Sequence, residues 1–182
     1  MVKRFPAIVI LLALLPATLQ AAATRDPYQY FFHASLGDLT EELEIARDEG
    51  KHGVFVFFEM DECPFCHRMK QTILNQPDVQ EYFRERFHPL AIDIEGDIEI
   101  TDFEGNPTTQ KEFSSKNRVR ATPLLVFFDL EGKPVFKYVG APTGKDEFLW
   151  MGEYVADQVY LQKDESGQSI RFTRYKRMKK LN

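Results

Sequence analysis

The stretch Gly53-Val-Phe-Val-Phe-Phe-Glu-Met-Asp-Glu-Cys63-Pro-Phe-Cys66 decides how this chain is read. Its first half, Gly53 to Glu59, is a dense run of β-branched and aromatic residues, the pattern of a strand buried on both faces. Its second half sets two cysteines around Pro64 and Phe65, with Pro64 where a helix tolerates proline, at its first position. Met69, Ile73 and Leu74 then supply an apolar face, so the spacing predicts that Cys63 stands at a helix N-terminus.

Cys63 and Cys66 are the only cysteines in the 182 residues. A bridge across so short a loop stabilises little, because the gain from a cross-link grows with loop length. Reactivity is the better reason for the pair. Only a thiolate attacks a disulfide, and a free cysteine with a pKa near ~8.5 is mostly protonated at neutral pH. Unpaired N–H groups and the positive end of the dipole at a helix start both favour the anion. Asp61 and Glu62 oppose it, whereas His67 and Arg68 would assist if their side chains fold back.

Working outward, Asp38 to Glu49 carries Leu39, Leu43, Ile45 and Ala46 near helical spacing, with Gly50 as a stop. A second helical stretch is expected from Asp78 to Phe87, followed by a short strand, Leu90 to Ile94. Strand, helix and strand imply a parallel pair with a right-handed crossover. Glu95 to Gln110 holds Glu95, Asp97, Glu99, Asp102 and Glu104 among Gly96, Gly105 and Pro107, and reads as a solvated inserted loop; its spacing does not match a calcium loop. A short helix from Lys111 to Asn117 leads to Thr122-Pro123, a strand from Leu124 to Asp129, a turn over Leu130 to Lys133 and a hairpin strand from Pro134 to Val139. Lys145 to Tyr160 closes the pattern as an amphipathic helix.

A Cys-x-x-Cys that follows a strand and opens a helix is a redox signature of moderate weight. Thr122-Pro123, set before an apolar strand and a glycine-turn hairpin, adds to it. On these residues the chain from Asp38 to Tyr160 resembles the thioredoxin superfamily. Glu59 to Cys66, the acidic loop and Gly152-Glu-Tyr-Val155 are similar to periplasmic thioredoxin-related proteins of the SoxW type.

The resemblance implies an α/β thioredoxin fold: a central mixed sheet flanked by helices, here with an extra N-terminal helix and an acidic loop insertion. It implies a thiol:disulfide oxidoreductase with Cys63 as the attacking and Cys66 as the resolving thiol. Pro123 would be a cis-proline facing the pair, with the backbone of Thr122 free to pair with an extended substrate. No cofactor is expected beyond the redox-active Cys63–Cys66 disulfide. The expected partners are a client protein bearing a disulfide or thiol and a membrane thiol-reducing transporter, the protein itself being a monomer. Reduction is the favoured direction, with a disulfide-introducing oxidase as the alternative and an isomerase ranked lower.

Two departures matter. Thioredoxin has a buried acid six residues before its first cysteine, where this chain has Phe57, so Glu59 is the replacement candidate unless strand alternation turns it to solvent. Asp61-Glu62 also stands where the superfamily has an aromatic residue. Phe65 would join the residues around Pro123 in an apolar rim, or else pack within its own helix. Cys63, Cys66 and His67 with one of His33, His52 or His88 could take zinc or copper(I), an alternative function, but the second half of a structural zinc site is missing, and no metal is expected.

Lys3 and Arg4, the apolar run from Ala7 to Leu19 and the small residues Ala21-Ala22-Ala23 read as a signal peptide over 1–23, which leaves one domain over 24–182. The run contains Pro16 and falls short of the roughly 20 residues that span a bilayer. The expected location is therefore periplasmic or secreted. The net charge is −5, and Arg171, Arg174, Lys176, Arg177, Lys179 and Lys180 crowd the C-terminal end, so the body is more acidic still. Such a body repels phosphate, and no nucleic-acid partner is expected. The basic end reads as the solvated tip of a helix, or as a contact for a membrane surface or acidic partner.

Overall fold

β1 (Val54–Glu59) is buried along its whole length because it is an inner strand of a four-stranded sheet, between β2 (His88–Asp93) and β5 (Leu124–Phe128), with β6 (Pro134–Val139) outside β5. The computed structural model describes residues 23–181; the leader read over 1–23 lies, except for its last residue, outside them. β2 runs parallel to β1, while β5 and β6 follow antiparallel. The sheet is therefore mixed, as expected. β2 starts two residues earlier than its apolar run suggested, since His88 donates its N–H to Gly53 C=O at 2.9 Å.

Strand alternation divides the interior in two. Phe55, Phe57, Leu125 and Phe127 face one side, where they meet α3 (Pro64–Thr72), α4 (Pro77–Arg86) and α6 (Lys145–Ala156). Val54, Val56, Phe58, Val126 and Phe128 face the other, against α2 (Leu39–Asp48) and α5 (Gln110–Lys116). Phe83 and Phe148 stack with ring centroids 4.1 Å apart, which locks α4 to α6. Tyr82 packs at the same crossing, and a Cβ on Gly152 would sit 2.6 Å from its ring, so only glycine admits this approach.

Local chemistry sets the helix starts. Asp38 accepts the N–H groups of Thr40 and Glu41 to cap α2. Thr109 and Glu112 form a reciprocal capping box that starts α5 one residue ahead of its expected position.

Three segments depart from the sequence reading. The acidic stretch is not wholly loop: β3 (Glu99–Thr101) and β4 (Pro107–Thr109) pair antiparallel within it. Asp102 organises their turn by accepting the N–H groups of Glu104 and Asn106, Gly105 takes φ +83°, and Ile100 is buried against α2. The last expected helix stops at Ala156, and a 3-10 turn, Val159–Leu161, carries the chain onward. The basic end forms α7 (Phe172–Leu181) and docks instead of extending into solvent. Phe172 enters the core, while Lys176 and Lys179 each bond a carboxylate of α6, Glu147 and Glu153, at 2.7 Å.

The segment before α2 is the largest addition to the expected core. α1 (Pro27–Tyr30) is a single turn, and Phe31 and Phe32 after it are buried among Phe55, Phe57, Phe83 and Phe148. Four aromatic rings contacting Phe31 explain why a short, weakly patterned stretch is held in place.

Candidate active site

Cys63 is the N-cap of α3. Its extended backbone points the side chain over the first turn, so that Sγ accepts the N–H of Cys66 at 3.1 Å. Pro64 follows at the first helical position, where its missing N–H costs no hydrogen bond. Cys63 and Cys66 form a disulfide with Cα atoms 5.2 Å apart. Cys66 is fully buried and Cys63 is 3 % exposed.

The flanking side chains divide by orientation. Phe65 stands out from the helix, 57 % exposed, with the Arg68 guanidinium 5.8 Å from its ring centre. It belongs to the surface beside the sulfurs, not to helix packing. Asp61 and Glu62 are exposed. His67 does turn back, but its Nε2 meets the carbonyl oxygen of Asp61 at 2.7 Å and pins the loop before the cysteines instead of the sulfur.

The Thr122–Pro123 peptide is cis. Leu124 pairs with Phe58, which places buried Pro123 at the end of β1 from which the chain runs on to Cys63. Gly140 N–H donates to Pro123 C=O at 2.8 Å and fixes the turn from the other side.

Glu59 follows the alternation of β1 onto the face of Phe55 and Phe57, the face that carries α3. It is 8 % exposed and does not point to solvent. Lys70, four residues beyond Cys66 on α3, donates to Glu59 Oε2 at 2.6 Å. The Tyr28 hydroxyl donates to Glu59 Oε1, also at 2.6 Å, and receives a Lys70 hydrogen bond at 2.8 Å. Burial acts to lower the Lys70 pKa, but the hydrogen bonds to Glu59 and Tyr28 outweigh it and hold the ammonium above the ordinary lysine range. Burial, reinforced by Glu59, raises the Tyr28 phenol.

Tyr28 and Lys70 were not singled out from the sequence. Lys70 could have been found, since it lies one turn after Cys66 on the same side of α3. Tyr28 could not, because nothing local links it to a strand thirty-one residues away. Of the histidines, His67 is engaged as described, and His33 and His88 stack on each other at 3.9 Å with Glu42, not the cysteines, beside His88. Among the described residues, no three His, Cys, Asp or Glu side chains converge as a metal site.

The profile of the family described as a thioredoxin-like domain matches residues 39–156. No curated protein matches the chain. Among solved structures, a thioredoxin-fold protein from Helicobacter pylori superposes with a TM-score of 0.63 at 19 % identity, covering 86 % of this chain and 96 % of its own. A thioredoxin from Thermus thermophilus gives 0.50 at 25 % identity, with 63 % and 81 % covered. A candidate disulphide isomerase from Bacteroides thetaiotaomicron gives 0.55 at 26 %, with 75 % and 98 % covered.

Proposed function

This chain belongs to the thioredoxin-like domain family, and on that premise we propose that it is a thiol:disulfide oxidoreductase that reduces disulfides in client proteins outside the cytoplasm. The observation that carries the reading is the Cys66 N–H held 3.1 Å from Cys63 Sγ at the start of α3. In the reduced protein the same amide and the helix dipole would stabilise a Cys63 thiolate, lowering its pKa as in other Cys-x-x-Cys sites.

The cycle balances without a cofactor. Cys63 thiolate attacks a client disulfide; a new S–S bond joins Cys63 to one client sulfur, and the other leaves as a thiolate and takes a proton. Cys66, once deprotonated, attacks Cys63 Sγ, forms the Cys63–Cys66 disulfide and releases the second client thiolate. Two electrons pass from the enzyme dithiol to the client. A dithiol donor must then reduce the pair, and a membrane thiol-reducing transporter is the proposed source. Glu59, on the face of the sheet that carries α3, is the proposed proton acceptor for Cys66, with Lys70 and Tyr28 as positioning residues that hold its carboxylate. Phe65 and the Thr122 backbone would receive the client segment around the sulfurs.

Insulin reduction by dithiothreitol tests the activity. Wild type is expected to accelerate it and Cys63→Ser not to; no difference between them would remove the enzyme reading. Direction is tested by the reduction potential against glutathione: a value near about −270 mV supports a reductase, and one near about −120 mV supports the oxidase alternative.

A further inference from the structure

β2 is an edge strand of the sheet, and its outer side is only partly paired. His88 N–H donates to Gly53 C=O at 2.9 Å and Ile94 N–H to Glu59 C=O at 2.8 Å, so the even-numbered residues of this strand serve the ladder with β1. The odd-numbered residues turn their backbone groups outward. Pro89 C=O accepts His33 N–H there at 2.8 Å, and Asp93 N–H donates to the Gln110 side chain at 3.1 Å. Between them, neither the N–H nor the C=O of Ala91 is engaged by any described residue.

The N-terminal segment arches across this gap. It is tied at His33 to β2 and at Gly37, whose C=O accepts Thr101 N–H at 2.8 Å, to β3. Beneath the arch lies a groove of about 390 Å³ lined by Phe32, Leu36, Leu39, Ile92, Ile98 and Ile100. That volume suits a ligand site. Leu36 is 98 % exposed and Ile98 65 % exposed at its mouth, two large apolar side chains held in water.

We propose that this groove binds an extended polypeptide segment, apolar in its middle and flanked by lysine or arginine, which adds to the sheet through Ala91. A free N–H and C=O on one edge residue are what an incoming strand uses, and an acyl chain or apolar small molecule has no use for both. Charge selects the flanks. Glu95, Asp97 and Glu99 surround Ile98, and Glu41 stands beside Leu36; all four are exposed and none is in an ion pair among the described residues. One wall residue of the groove, Tyr28, bonds Glu59, the proposed proton acceptor. That the segment belongs to a disulfide-bearing client rests on the function proposed above.

Fluorescence anisotropy tests the binding with labelled Lys-Lys-Val-Ser-Val-Lys-Lys and its charge-reversed counterpart Glu-Glu-Val-Ser-Val-Glu-Glu. The basic peptide is expected to bind about tenfold or more tightly than the acidic one, with the preference narrowing as salt screens the rim. Ile98→Asp, at an exposed position, and Ala91→Pro, which removes the outward N–H at an edge position where proline is tolerated, are each expected to weaken it about tenfold, or about 1.4 kcal/mol. Equal binding of the two peptides, or binding unchanged in Ile98→Asp and Ala91→Pro, overturns the proposal. So does a protein that takes an apolar dye in the groove and neither peptide. Reduction of oxidised glutathione by the protein, with dithiothreitol as the dithiol that restores the Cys63–Cys66 pair, reads the cysteines separately. Peptide binding that fails while glutathione turns over removes the groove alone; peptide binding without turnover removes the redox reading alone.

Discussion

The Tyr28 hydroxyl donates to Glu59 Oε1 at 2.6 Å while Lys70 donates to Glu59 Oε2 at the same distance, so one carboxylate joins the N-terminal segment, β1 and α3. The side chains of Glu59 and Lys70 are only 10 % and 15 % exposed. Their attraction is therefore little screened, and either charge left alone would be poorly solvated.

Lys70→Met is accordingly expected to destabilise the fold by about 2–3 kcal/mol, because it strands the Glu59 carboxylate against an apolar interior. Adding Glu59→Gln should recover most of that loss, since no charge is then left unpaired. Tyr28→Phe removes one neutral donor and should cost about 1 kcal/mol. Urea midpoints of the single and double variants measure all three, and a double variant no more stable than Lys70→Met would show that the pair is not coupled.

The proposed order of attack distinguishes the two cysteines. With Cys66→Ser the first step proceeds and the second cannot, so mixed disulfides between Cys63 and client proteins should accumulate. Cys63→Ser should trap nothing, since in the proposed cycle the fully buried Cys66 only resolves the adduct that Cys63 forms. Non-reducing gels of cells expressing each variant read the outcome; adducts formed by Cys63→Ser instead would reverse the assigned roles.

The core strands and the cysteine helix were legible because their signals are local. A run of Val and Phe from Val54 to Phe58 reads as buried strand whatever surrounds it, and a cysteine followed by proline reads as a helix cap. The burial of Glu59 was only half legible. Alternation gave its face relative to Phe57, but which face α3 would cover depends on tertiary packing. The docking of α1 was not legible at all, because Phe31 gains its partners Phe83 and Phe148 only after folding. The β3–β4 hairpin is hidden by its acids: Asp102 and Gly105 are turn formers, but among five acids, Gly96 and Pro107 they read as part of a solvated loop and not as the turn of a strand pair.

Gly53 makes a sharper test of the β1 entry than any hydrophobic residue. It sits at φ +147°, and a Cβ there would run into the carbonyl oxygen of Phe128 on β5. Gly53→Ala is expected to lose about 2 kcal/mol or more, combining backbone strain with a shift of the neighbouring strand. Gly105→Ala is the control: it has φ +83° but open space around it, so only the conformational cost of about 1 kcal/mol applies. Thermal unfolding of the two variants should therefore differ, and equal losses would contradict the clash.

His33 gives the pH dependence. Its ring stacks on His88 at 3.9 Å, and His88 Nε2 lies 2.6 Å from Glu42 Oε2 on α2. Burial, then His88, Arg84 on α4 and Lys51 lower its pKa to about 3, with Glu49 acting the other way. The folded protein thus keeps His33 neutral at pH values where the unfolded chain, with an ordinary value of 6.5, takes up a proton. Stability from this group is complete above the unfolded value and is lost as pH falls from there towards 3. Between neutrality and mild acid, before the carboxylates titrate, the loss should be about 1 kcal/mol once solvent exposure is allowed for. His33→Phe keeps the stack and removes the titrating nitrogen, so its urea midpoint should stay nearly flat over the same window while that of wild type declines. Parallel decline in both would place the acid sensitivity elsewhere.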